Sequence, residues 1–163
     1  MAVIRGMHHA GISTPNLERC LSFYRDLLGF QFAIEVDWAD SPQADRIVGL
    51  VGSAARGGWL KVGNTYIEVW EYLAPPGRPP VPDTRSCDAG IRHLCFDVLD
   101  IDAEYERLRA AGVEFFSAPQ SMYGFLRSVY GRDPDGNIFE LQEILIRDHP
   151  QSLDRLEFLQ NQR

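Results

Sequence analysis

A chain of 163 residues with 45% hydrophobic residues is long enough for one ordinary domain or two small fused modules with a proper core. A net charge of -7 argues against a nucleic-acid partner, which needs a basic face, and no apolar run approaches the roughly 18–20 residues of a membrane span. Met1 to Ala10 has no apolar h-region of a secretory leader, and three cysteines, an odd number without C-x-x-C spacing, suit reduced thiols, so a cytoplasmic protein is expected.

In chain order, residues 3–13 read as a strand. Thr14 as N-cap and Pro15 as first helical residue predict a helix whose apolar positions are Leu17, Leu21, Tyr24 and Leu28, stopped at Gly29. A second strand is predicted over Phe30–Val36. Residues 37–58 are rich in Gly, Ala, Ser and Asp and read as a loop with a strand near Ile47–Val51. Trp59–Val62 and Thr65–Leu73 form a hairpin around Gly63-Asn64. Residues 74–82, with five prolines in nine positions, open a stiff linker.

The same plan then repeats. A strand is predicted over Ile91–Val98. Asp100 caps a helix carrying Ile101, Tyr105 and Leu108 and ending at Gly112; strands follow at Val113–Phe116 and about Phe125–Tyr130. Asp133-Pro134-Asp135-Gly136-Asn137 is a strong turn signal before a last strand over Ile138–Ile146. Leu153, Leu156 and Leu159 suggest a C-terminal helix. The expected layout is a first module over 1–73, a Pro-rich linker over 74–89, a second module over 90–147 and a helical tail over 148–163.

Each half contributes one His and one Glu inside short apolar strands: His9 and Glu68, then His93 and Glu140. Side chains alternate along a strand, so each of these four lies opposite the apolar, helix-packing positions of its strand. Tyr66, Trp70 and Tyr72 share the face of Glu68 as an aromatic wall for substrate. Two imidazoles and two carboxylates suit one divalent metal with exchangeable positions, whether Zn, Ni, Co, Mn or Fe(II). Any one such residue alone is more often a hydrogen-bonded or solvated side chain; four in matched positions change that reading. His8, of opposite parity, reads as a packing or surface residue, and His149, beside Pro150, as a surface residue. Glu71 and Glu143 read as solvated, Arg92 and Asp97 as surface or supporting charges, and Cys20 and Cys95 as core or near-core. Met122 and Tyr123 lie in a loop, divided between core packing and substrate wall.

The segments His9-Ala10-Gly11-Ile12, Phe23-Tyr24-Arg25-Asp26-Leu27-Leu28-Gly29-Phe30 and Asp133-Pro134-Asp135-Gly136-Asn137-Ile138-Phe139-Glu140 resemble those of the vicinal oxygen chelate proteins, the glyoxalase, bleomycin-resistance and extradiol-dioxygenase superfamily. The resemblance spans about residues 3–146. It implies an α+β fold of two tandem βαβββ modules forming a cupped mixed sheet, and carries the family's metal positions onto His9, Glu68, His93 and Glu140. Glu68, which extradiol dioxygenases lack, tilts the likeness toward the glyoxalase I and methylmalonyl-CoA epimerase branch. Trp70 to Pro75 and Ser121 to Phe125 depart from glyoxalase I where it holds glutathione.

The implied activity is that of a metal-dependent lyase or isomerase. It would take a small substrate with adjacent oxygens, and Glu140, then Glu68, is the expected proton carrier. The rival readings are an Fe(II) ring-cleaving dioxygenase, in which Tyr130 orients or protonates, and a metal-free small-molecule binding or resistance protein. The resemblance also implies a homodimer.

Overall fold

The computed structural model describes residues 3–4, 6–81 and 83–155. The fold is α+β, and the chain divides into two compact units, Met1–Pro80 and Val81–Arg163. The first unit runs β1 (His9–Ser13), α1 (Leu17–Leu21), β2 (Gln31–Trp38), α2 (Pro42–Val48), β3 (Ala54–Val62) and β4 (Thr65–Ala74). The second runs β5 (His93–Asp97), α3 (Ile101–Ala110), β6 (Gln120–Met122), β7 (Leu126–Arg132) and β8 (Ile138–Ile144). Each unit forms one four-stranded sheet, ordered β1-β4-β3-β2 in the first and β5-β8-β7-β6 in the second. In both, the first and last strands pair in parallel and the remaining pairs are antiparallel, so the two sheets share one topology.

The core of the first unit joins Ile12, Leu60, Ile67 and Val69 of the sheet to Leu17, Cys20, Leu21, Phe23 and Tyr24. α1 continues as a π-helical turn over Ser22–Leu27, in which Leu28 N–H donates to the Phe23 carbonyl at 2.9 Å. The widened turn accompanies the burial of both adjacent aromatics, Phe23 and Tyr24. In the second unit Ile101 and Leu108 of α3, each fully buried, meet Val129, Phe139 and Leu141.

Helix α1 starts two residues later than the sequence predicts. Thr14 still belongs to the sheet, its N–H donating to the Trp70 carbonyl at 2.8 Å, while its hydroxyl closes a local turn with Asn16. Asn16 is the cap: its Oδ1 accepts from Arg19 N–H at 3.0 Å. The Asp100 cap stands as predicted, its Oδ1 accepting from Ala103 N–H at 3.1 Å.

The expected strand at Ile47–Val51 is instead the end of α2. Ser41 caps this helix, Pro42 takes its first turn and Gly49, at φ 70, ends it. Ile47 and Val51, 84% and 93% exposed, are apolar letters without a buried face. The strand expected at Val113–Phe116 shrinks to a single bridge between Phe115 and Gly131, and the edge strand forms later, past Pro119, at Gln120–Met122. β1 and β5 are shorter than expected, with Val3, Ile4 and Ile91 exposed ahead of them. Residues 153–155 begin a helical turn; Leu156 and Leu159, on which the expected C-terminal helix also rests, lie outside the described residues.

Glu71 and Glu143, expected in solvent, each tie the last strand to the helix. Glu71 accepts from Leu17 N–H at 3.4 Å and from Arg56 at 2.8 Å; Glu143 accepts from Ile101 N–H at 3.3 Å. Leu17 and Ile101 are first helical residues, whose N–H groups have no partner within the helix and favour a carboxylate.

Two consequences are measurable. A Cβ added at Gly57 would run into the Val69 carbonyl oxygen and come within 2.8 Å of the Trp70 ring, so Gly57→Ala is expected to lower unfolding free energy by about 3 kcal/mol in urea denaturation. Hydrogen bonds from the Ser53 hydroxyl and N–H and from Gly52 N–H hold the Asp45 carboxyl below its ordinary range. A carboxyl lowered in the folded state adds stability above its unfolded pKa of about 3.9, and that stability is lost as pH falls below it. Asp45→Asn is therefore expected to melt below wild type at neutral pH, with the gap closing below about pH 4; a gap that stays constant on acidification would contradict this.

Candidate functional site

Cross-strand register decides which side chains meet. In the first unit His9 pairs with Tyr66, Gly11 with Glu68, and Trp59 with Glu68 across the antiparallel edge. In the second unit His93 pairs with Ile138, Cys95 with Glu140, and Tyr130 with Glu140. His and Glu therefore share a face at the same offset in both sheets. His9 Nε2 stands 3.5 Å from Glu68 Oε2, and His93 Nε2 stands 3.2 Å from Glu140 Oε2. Two donors each about 2.1 Å from a common ion, at near-tetrahedral to right angles, are about 3.0–3.4 Å apart; the His93–Glu140 pair falls within that spacing and the His9–Glu68 pair lies just beyond it. Within each unit the donors stand as a pair; among the described residues no group of three or more His, Cys, Asp or Glu side chains gathers at one point.

The surroundings of the two pairs differ. Glu140 is buried, and its Oε1 accepts from the Ser128 hydroxyl while Oε2 faces His93. Cys95 is not core as expected: it lies at the surface on the same face, where desolvation around the sulfur and then the Glu140 carboxylate push its thiol up to about 12. The Tyr130 ring lies 4.9 Å from that of His93, and its phenol is raised first by burial and then by Glu140. Cys20 is buried as expected.

Around Glu68 the neighbours are rings. His9 lies 4.7 Å from Trp59, and the exposed His8 stacks on Tyr66 with its Nδ1 at 3.0 Å from His9 Nδ1. The β3 residue in the position of Ser128 is Gly57, paired with Trp70 as Ser128 is with Gln142, so Glu68 has no hydroxyl at that place. Trp70 is packed edge-on to Trp38 with ring centres 4.7 Å apart, and Trp38 to Tyr72 at 5.8 Å. Burial and then the Glu68 carboxylate raise the Tyr72 phenol.

Of the residues expected to meet substrate, Tyr66, Trp70 and Tyr72 share the Glu68 face, and Tyr130 stands by His93 and Glu140. Met122 and Tyr123 are exposed on the β6–β7 hairpin; Tyr123, at φ 55, stacks on Phe125, whose ring lies 3.9 Å from that of His149. His149 is thus half-buried in a ring stack rather than a free surface residue. Trp38, Trp59 and Ser128 were not singled out from sequence. The turn residues flanking each hairpin fix its register, and counting back from them reaches Trp59 and Ser128.

A family model described as the Glyoxalase/Bleomycin resistance protein/Dioxygenase superfamily matches residues 6–141. A 2-epi-5-epi-valiolone epimerase of Actinomyces sp is 31% identical over 71% of this chain and 64% of its own length. An ethylmalonyl-CoA/methylmalonyl-CoA epimerase of Cereibacter sphaeroides is 26% identical over 87% of this chain and 100% of its own. The crystal structure of a glyoxalase family protein from Bacillus cereus superposes with a TM-score of 0.80 at 22% identity, covering 89% of this chain and 97% of that one. Topology, register and these likenesses agree: the chain belongs to the Glyoxalase/Bleomycin resistance protein/Dioxygenase superfamily.

Proposed function

We propose that the chain is a divalent-metal-dependent isomerase or lyase that removes and returns a proton on a carbon next to a carbonyl. The observation carrying this is the His–Glu pair repeated at the same register in both units, 3.5 Å apart in the first and 3.2 Å in the second. Two of the relatives are named epimerases, and inversion at a carbon next to a carbonyl is a proton transfer of this kind. His9, Glu68, His93 and Glu140 would hold one ion, with the two pairs supplied by one chain or by two copies in a homodimer. When bound, the ion supplies Lewis acidity at two adjacent substrate oxygens, which makes the neighbouring C–H acidic enough to lose its proton near neutral pH.

The two carboxylates then divide the remaining work. Ser128 and His93 hold Glu140 by both oxygens, which suits a fixed ligand. Glu68 meets its imidazole at 3.5 Å and lacks the serine clamp, so it has more freedom to move off and take a proton. This reverses the order expected from sequence, where Glu140 stood first. Glu68 receives the proton as the C–H electron pair moves toward the carbonyl oxygen, then returns it to the adjacent carbon in an isomerisation; in an inversion the same carbon takes its new proton from a donor on the opposite face. The Tyr66, Trp70 and Tyr72 rings keep water from the intermediate's apolar side.

Tyr130 beside His93 supports a second reading, an Fe(II) ring-cleaving dioxygenase in which the phenol orients or protonates the substrate. Elemental analysis of protein purified without added metal or chelator tests both. About one divalent ion per chain is expected, lost in His9→Ala and in Glu140→Ala. Iron together with oxygen uptake on catechols would favour the dioxygenase; no metal, even after reconstitution, would leave a binding protein. Glu68→Gln is expected to keep its metal while losing about 10²–10⁴ in solvent-deuterium exchange at the substrate carbon, with Glu140→Gln losing metal affinity instead; the opposite pattern would restore Glu140 as the base.

A further inference from the structure

Helix α2 buries none of its own residues, so core packing does not explain it. It has no counterpart in the second unit, where the chain between α3 and β7 holds one short strand. What α2 does supply is Asp45. The Asp45 carboxylate accepts from Gly52 N–H at 2.8 Å, from Ser53 N–H at 2.7 Å and from the Ser53 hydroxyl at 2.6 Å. Because the carboxylate only accepts, the Ser53 hydroxyl must spend its proton there, and its lone pair is left to accept from the Trp38 indole N–H at 2.9 Å. Ser53 is 1% exposed, so the hydroxyl that links the carboxylate to the indole is sheltered from water. Its outcome is a fixed orientation for one large ring.

That ring stands on the face that carries Glu68. Across the sheet Trp38 pairs with Ala55, Ala55 with Tyr72, and Gly57 with Trp70, so Trp38, Trp70 and Tyr72 share that face over a floor of Ala55 and Gly57. Small residues on β3 leave room for three rings from β2 and β4, and Trp38 and Tyr72 remain half-buried rather than sealed. On the corresponding face of the second unit Met122, Leu126 and Ile144 take the register places of Trp38, Ala55 and Tyr72, and Ser128 and Gln142 those of Gly57 and Trp70, so aliphatic and polar side chains stand where the first unit has rings.

We propose that Trp38, oriented by Asp45 and Ser53, is a specificity-determining residue, and that the substrate is a cyclic molecule with adjacent oxygens whose ring lies against Trp38 and Tyr72 in the first unit. The adjacent oxygens rest on the metal reading above; the ring wall does not. Flat or puckered rings gain from stacking on indole and phenol faces in a way that a short open chain does not.

The test has two arms. In metal-free protein, saturation-transfer NMR with phenol probes the wall alone: signal is expected in wild type and in Trp38→Phe, and its loss in Trp38→Leu. In protein reconstituted with Co(II), calorimetry compares tropolone, a ring with adjacent oxygens, with acetohydroxamate, an open-chain chelator. Trp38→Leu is expected to weaken tropolone about tenfold and leave acetohydroxamate within about twofold, while Trp38→Phe stays within about threefold on both. Circular dichroism on each variant confirms folding. Phenol contacts that do not depend on residue 38, or tropolone binding unchanged in Trp38→Leu, would overturn the proposal. Equal weakening of both chelators in Trp38→Leu would overturn it too, since a damaged site and not a lost wall would be the cause. Failure to take up Co(II), with the phenol arm as expected, would sink the metal reading and leave the ring wall standing.

Discussion

Parallel pairing of the first and last strands sets everything else in each unit. A side chain on β1 or β5 reaches one on β4 or β8 only if the two strands are in a fixed register, and slipping by one residue would turn the Glu to the opposite face. The register is held from several sides. The apolar faces of β4 and β8, with Ile67 and Val69 or Phe139 and Leu141, must remain buried against the helix. Tight turns at Gly63 and at Asp133–Asn137 fix the antiparallel neighbour; Asp133 Oδ1 accepts from the N–H groups of Asp135 and Asn137 at 2.9 and 2.8 Å. Burying the apolar face and exposing the donor face are one event.

On that shared frame the units have diverged in what surrounds the carboxylate. The second unit clamps Glu140 with Ser128 and sets a thiol and a phenol beside it. The first replaces the clamp with Gly57 and fills the space with Trp70, Trp38, Tyr72 and Trp59. A serine-clamped carboxylate in one half and a ring-walled one in the other stand on one repeated plan.

Much of this was legible in the chain itself. Alternation in short strands put His9, Glu68, His93 and Glu140 opposite the apolar positions, because Ile67 and Val69 or Leu94 and Phe96 leave little choice of inward face. Glycine and proline punctuation located both hairpins. What was not legible arose where a local signal competed with a longer-range one. Ser41-Pro42 and Gly49 bracket α2, but the apolar letters of Ile47–Val51 compete with those caps although Ile47 and Val51 stay exposed. Glu71 and Glu143 read as solvated because their partners, the first N–H groups of α1 and α3, are 54 and 42 residues away in sequence. The path from Asp45 through Ser53 to Trp38 is likewise invisible to spacing, since it requires knowing that a loop folds back onto the end of a strand.

Those two glutamates carry a wider implication. Glu71 and Glu143 each follow a candidate ligand by three positions, an odd step that sends them to the other side of the sheet, toward the helix start. First strand, helix start and last strand are thereby fastened to one another without help from the chain that lies between. The intervening segment is then at liberty to lengthen, shorten or acquire new elements while the frame stays closed, as the unequal stretches between helix and hairpin in the two halves already display. Such a frame can accept new substrate contacts by insertion alone, leaving its donor atoms where they were.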